Sequence, residues 1–239
     1  VDTLIALWRV LPWPDWVALG LLAAAWVGYA HFARVRAAAQ PSLLALTNRE
    51  RTRWMLQTTW RENRVVDGVV VQNLSTSPSF FASTTILIIG GLLAVLSATD
   101  KASELVREIP FAARTTLLVF DLKVVLLLGI FVHAFFRFTW SLRQYTFGAL
   151  LVAAAPPHDR YNSDAEREAF ALRAGRVMGL AAETFNDGLR AYYFSFAAVA
   201  WFFSPWAMIA GSAAVVAILY RREFHSDVLA VLRSDTPAP

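Results

Sequence analysis

The chain has no cysteine. That absence excludes disulfides, thiolate metal sites and thiol nucleophiles, and it leaves the redox compartment without a marker. Charge is also scarce, at 17% of the 239 residues. The four histidines, His31, His133, His158 and His225, lie far apart in sequence. No zinc-protease motif, phosphate loop, dinucleotide fingerprint or nucleophile elbow is present. No catalytic residue, metal site or cofactor is therefore assigned, and the balance leans away from an enzyme. No internal repeat is visible, which weakens an inverted-repeat transporter.

What the chain does have is apolar residue: 57% is hydrophobic and the mean hydropathy is +0.46, against about 45–50% apolar usage in soluble domains. The excess is gathered into blocks and is not spread at a period of 2 or 3.6, which is the membrane pattern. Spans are predicted over residues 16–32, 80–98, 115–136, 189–204 and 206–220. The expected fold is all-α, a single polytopic membrane domain over 1–239. It has four or five transmembrane segments and amphipathic cytoplasmic or interfacial helices. The sequence pI of 9.8 comes from arginines flanking these blocks. Anionic headgroups and topology explain them, so membrane lipids are expected partners and nucleic acid is not.

Orientation follows from the loops. Residues 33–79 carry seven arginines against Glu50, Glu62 and Asp67, which places this segment in the cytoplasm of an inner or plasma membrane and the N-terminus outside. Residues 99–114 balance three acids with three bases, as fits an external loop. Residues 1–14 hold one arginine and two prolines without a basic n-region. The first span is therefore expected to stay in place and not be cleaved as a leader.

Several local expectations can be tested against the fold. Thr47 and Glu50 form a capping-box pair for a helix on the membrane surface that continues past Arg64. Val65, Val66, Val69, Val70 and Val71 favour strand, but a lone strand beside lipid leaves backbone groups unpaired. Ser77 and Pro78 then punctuate the chain, and Gly90, Gly91 and Ala94 give the following span a small face. Residues 138–155 read as an interfacial helix, 156–163 as a turn and 164–186 as an amphipathic helix. The final block, 191–220, is interrupted at Ser204, Pro205 and Trp206. A hairpin there returns Arg221 and Arg222 to the cytoplasm, which a proline-kinked single helix does not.

The candidate functional residues are polar side chains at membrane level. Asp121 and Lys123 are the charged residues inside the apolar blocks, where charge is costly enough to suggest function. Alternatively they lie near enough to the interface to snorkel. At about 100° per residue they point to different sides of a helix and need separate partners. His133 is near the other interface, with His31 at the same level, and Arg137 ends the third span. Arg61, Glu62, Asn63, Arg64, Asp67, Gln72 and Asn73 offer charges of both signs beside a span. They suit either a vestibule in a homo-oligomer or ion pairs that fix loop packing. The leading expectation is a homo-oligomeric channel or transport-type protein. An accessory or scaffolding subunit of a membrane complex is the alternative. A membrane enzyme acting on a lipid or quinone, with Glu62, Asp67 or His133 as acid or base, comes third.

Five stretches carry a family resemblance: Glu62-Asn-Arg-Val-Val-Asp-Gly68, Phe80-Phe-Ala-Ser-Thr-Thr-Ile-Leu-Ile-Ile-Gly-Gly91, Phe136-Arg-Phe-Thr-Trp-Ser-Leu-Arg-Gln144, Arg190-Ala-Tyr-Tyr-Phe194 and Tyr220-Arg-Arg-Glu-Phe224. Together they resemble the integral membrane family catalogued as domain of unknown function 599. The resemblance implies a multi-spanning membrane protein and brings no activity, ligand or catalytic residue with it.

Overall fold

The computed structural model describes residues 11–39, 42–110, 112–113 and 115–234. Among them the regular structure is helical throughout, in eight helices: α1 (Trp13–Ala39), α2 (Leu43–Thr58), α3 (Val65–Ser97), α4 (Thr99–Glu108), α5 (Leu117–Ala153), α6 (Asp164–Ala200), α7 (Pro205–Phe224) and α8 (Asp227–Ser234). The expectation of an uncleaved first span rests on residues 1–14, of which 1–10 lie outside the described residues.

The longest helices run well past the ends of the hydropathy blocks. α2 opens earlier than expected, because the Ser42 hydroxyl accepts from the Ala45 N–H at 3.2 Å. Thr47 instead donates to the Leu44 carbonyl and Glu50 pairs with Arg53 at 3.1 Å. α2 also stops at Thr58, before Arg64. A new helix starts at Val65, where the Asn63 side chain accepts the Val65 N–H at 2.9 Å, and it runs 33 residues through Pro78. The valines thus adopt helix despite their strand preference. Pro78 removes a single ladder bond, and breaking the rest beside lipid would leave carbonyls without water. At 1.5 Å per residue α3 is about 50 Å long, against about 30 Å of hydrocarbon. Its polar first turns therefore extend beyond the apolar stretch. α5, at 37 residues, likewise absorbs the interfacial helix expected at 138–155. The predicted external loop contains α4, and its Arg114 lies outside the described residues.

α6 begins where the sequence indicates, with the Ser163 hydroxyl accepting from the Glu166 N–H at 3.2 Å and the Glu166 carboxylate accepting from the Asn162 N–H at 2.8 Å. It continues without a break to Ala200, and after the turn at 201–204 α7 starts at Pro205. A Cβ placed on Gly211 would lie 3.3 Å from the Ala197 Cα. In a single kinked helix these residues would be about 20 Å apart, so α6 and α7 form the expected hairpin.

Among the described residues, three helices are long and apolar enough to cross a membrane: Trp13–Ala33 within α1, α3 and α5. That is the composition of a membrane protein. Only 11% of the most apolar window of α3 is buried, against 44% for α5. α3 therefore exposes large side chains such as Ile86 and Leu87, each of which loses about 1.5–3 kcal/mol of burial energy if water is outside. Lipid removes that cost.

The chain divides into two compact units. The first takes the described residues up to Arg34 with Thr84–Ala134 and Leu189–Tyr220. The second takes Val35–Ser83, Phe135–Gly188 and the residues from Arg221 onward. In the first, Trp201 and Phe194 are fully buried and the Thr85 and Tyr192 hydroxyls share a hydrogen bond of 2.7 Å. The core of the second is built on Met55, Val71, Tyr145, Phe170 and Met178, and α8 packs against α2.

Candidate functional site

In the second unit, several of the charges that the sequence leaves between a vestibule and ion pairs fixing loop packing have bonded partners. Asp67 is fully buried. Its Oδ1 accepts from the Trp54 indole N–H at 2.7 Å, from the Thr58 hydroxyl at 3.0 Å and from the Arg61 guanidinium. Its Oδ2 is buried without a hydrogen-bond partner among the described residues. Arg64 donates to three carbonyls, Thr58 at 3.2 Å, Ala155 at 2.7 Å and Pro156, and so joins the end of α2 to the segment after α5. Arg167, which sequence reasoning missed, donates to the Thr59 and His158 carbonyls, both at 2.6 Å. Its guanidinium lies over the rings of Trp60 at 3.8 Å and Tyr161 at 4.5 Å. A planar fork suits this use, since it can bond in its plane and stack on its faces. Burial pushes the Tyr161 phenol up, against the opposing pull of Arg64 and Arg167, so it stays neutral. Glu62 and Asn63 are exposed.

Arg137 and Asp187 form a salt bridge between α5 and α6. One turn on, the Ser141 hydroxyl donates to the Ala181 carbonyl at 2.7 Å. The Phe138 ring packs against Phe81 and Phe185 and lies where a Cβ on Gly188 would be. Arg137 thus has a partner 50 positions away that helical spacing alone does not reveal.

In the first unit Lys123 is buried, and its Nζ donates to the Trp201 carbonyl at 2.9 Å at the end of α6. The ammonium sits 5.3 Å from the Trp201 ring centroid and 5.6 Å from that of Phe202. A cation at a helix C-terminus also meets the negative end of its dipole. Asp15 is buried too, accepts from the Trp201 indole N–H at 2.5 Å and interacts electrostatically with Lys123. Asp121 points elsewhere, as the helical spacing requires, and accepts from the Thr99 hydroxyl at 2.8 Å. His133 is exposed and edge-on to Trp26 at 5.3 Å.

Lys123→Met keeps the stem but strips Asp15 of its cation and Trp201 of a donor. It is expected to destabilise by about 2–4 kcal/mol. Unfolding of the detergent-solubilised protein measures this, and the added change Asp15→Asn is expected to restore at least half. If the double variant is no more stable than the single one, the two charges are not coupled.

Gln72 lies in a different setting. It lines an open cleft of about 740 Å³ in the second unit, between the first turns of α3 and the second half of α5. α3 contributes Gly68, Val71, Ser75, Thr76, Ser79 and Phe80; α5 contributes Leu142, Tyr145, Thr146 and Ala149. None of these side chains carries a charge. Asn73 is exposed beside this wall. The α3 side was visible in sequence as a polar bridge before an apolar run. The α5 side was not, because Tyr145 and Thr146 sit in an aromatic stretch with no polar periodicity of its own.

The sequence model of one family, described as protein of unknown function, DUF599, matches residues 17–228. Comparison with curated proteins and with solved structures found no match.

Proposed function

The chain belongs to the DUF599 family, and from that premise we propose that it is a transport-type membrane protein whose recognition site is the cleft between α3 and α5. The observation that carries this reading is the contrast between two sets of polar groups. Arg61, Arg64, Asp67, Lys123 and Arg137 each have bonded partners, which leaves little of their charge to face a solute. The cleft is open, neutral and roughly a small ligand in size, within the range of about 300–1,000 Å³ common for such sites. In the membrane orientation read from the arginines, it faces the cytoplasm just beyond the apolar part of α3, in a protein of four or five crossings.

Flux in proteoliposomes tests the proposal. Gly68 lines the cleft and a Cβ on it meets nothing within 4 Å, so the backbone there has room for a side chain and Gly68→Phe is directed at the cleft. The helix also gains slightly, glycine being a poorer helix former than phenylalanine. The wild type is expected to dissipate a solute gradient and the variant to lose most of that flux while keeping its melting temperature. Absence of flux under every gradient, or flux untouched by the variant, would sink the reading.

A second reading, homo-oligomer or subunit of a larger membrane complex, draws on Gly90 and Gly91. A Cβ at either meets nothing within 4 Å, and the small face they make lets a neighbouring backbone approach closely. Gentle-detergent isolation separates the cases: a self-oligomer alone favours the first, a stoichiometric unrelated protein the second.

A further inference from the structure

The cleft between α3 and α5 has walls whose chemistry selects a ligand class, and the following inference rests on reading it as the recognition site. The Ser75 hydroxyl donates to the Gln72 carbonyl at 2.7 Å and the Thr76 hydroxyl to the same carbonyl at 3.1 Å. On the facing helix the Thr146 hydroxyl donates to the Leu142 carbonyl at 3.2 Å. A hydroxyl has one hydrogen and two lone pairs. With their hydrogens engaged on their own helices, these three oxygens offer a ligand their lone pairs, and the Gln72 amide on the same wall adds N–H donors and a further acceptor.

An anionic ligand finds no cation on these walls, and phosphate or carboxylate recognition depends on charge-assisted donors. A cationic ligand would meet acceptors but no counter-charge, and a charge desolvated without one is costly. What remains is a neutral group whose hydroxyls can both donate and accept. Between the polar positions the walls are apolar, at Val71, Leu142, Ala149 and Phe80, which suits the C–H faces of a sugar or sugar alcohol.

We propose that the α3–α5 cleft binds an uncharged polyol, the Ser75, Thr76 and Thr146 oxygens accepting its hydroxyl hydrogens. The polyol can arrive as a free solute or as the headgroup of a glycolipid. Phe80, at one end of the cleft, is the first residue of the apolar run 80–98, so an attached acyl chain has an exit into lipid.

The test uses the full chain in phosphatidylcholine nanodiscs, titrated by calorimetry with glucose. In a second arm, nanodiscs carrying a glucosyl diacylglycerol are compared by native mass spectrometry for retained lipid. Inorganic phosphate and ethanolammonium are the charged controls. Thr76 and Thr146 are exposed helix positions, so the double variant Thr76→Val, Thr146→Val removes two acceptors while leaving the core untouched. The expected result is binding of glucose, of the glucosyl lipid or of both, weakened about tenfold or more in the double variant, with both controls weaker than the polyol. Glucose binding identifies a soluble polyol, and retention of the lipid alone identifies a headgroup. Binding of neither, unchanged affinity in the double variant, or a charged control bound as well as the polyol overturns the proposal. The two readings fail separately. Flux of another solute blocked by Gly68→Phe without polyol binding sinks the ligand class alone, whereas polyol binding without flux sinks transport alone.

Discussion

Arg61→Ala is expected to destabilise the protein by about 2–4 kcal/mol. That is more than a partly exposed arginine usually contributes, since solvent-exposed ion pairs give about 0–1 kcal/mol. The Arg61 side chain is 40% exposed, but Asp67, its partner, is 0% exposed. Removing the arginine therefore leaves a carboxylate in the interior with two neutral donors, Trp54 and Thr58, and no counter-charge. The discriminating variant is Arg61→Ala with Asp67→Asn. A neutral amide keeps an acceptor for the indole and the hydroxyl, so the pair of changes is expected to be milder than Arg61→Ala alone. Denaturant unfolding in detergent measures all three proteins. A cost below about 1 kcal/mol, or a double variant no better than the single one, would mean that the Asp67 charge is not held by Arg61.

The second large effect is expected at Gly175. A Cβ there would lie 2.7 Å from the Thr52 Cα and 2.6 Å from its Oγ1. Backbone on the neighbouring helix cannot yield as a side-chain tip can, so α2 and α6 must separate. The same contact carries the Asn48 to Glu183 hydrogen bond of 3.2 Å, with Arg176 on Glu183 at 2.7 Å. Gly175→Ala is expected to cost about 1–3 kcal/mol, even though alanine favours helix by about 1 kcal/mol. Gly148→Ala is the matched control. There the added Cβ meets Cε and Sδ of Met178, the flexible end of a side chain that can rotate away. It is expected to be near neutral. Equal melting shifts for the two variants would contradict the close backbone approach of α2 to α6.

How much of this was legible in the sequence differs by feature. Apolar blocks located the three long apolar helices, because lipid requires about 20 consecutive apolar residues whatever their partners. Local signals located the start of α6, directly after the turn read at 156–163, and the break at Pro205, which cannot continue a ladder. The helix ends were legible only in part. Hydropathy reports where lipid stops, but the backbone ladder of α3, α5 and α6 carries on past that boundary at no extra nucleation cost. The surface helices drawn at 138–155 and 164–186 are therefore parts of α5 and α6, whereas the one expected from Thr47 is the separate helix α2.

The sequence by itself determined an all-helical chain with apolar membrane-length segments, the sides of the helix to which Asp121 and Lys123 turn, and the family. Only the tertiary structure decided what the charges do. Periodicity gives the face on which a side chain lies, whereas its partner sits on another helix: 78 positions away for Lys123 and Trp201, 91 for Arg64 and Ala155, and 186 for Trp201 and Asp15. Several of those partners are backbone carbonyls, which every residue has and no sequence marks. The cleft is hidden for the same reason. Where its hydroxyl hydrogens go is decided by carbonyls on their own helices, and its second wall comes from α5, far from the first in the chain.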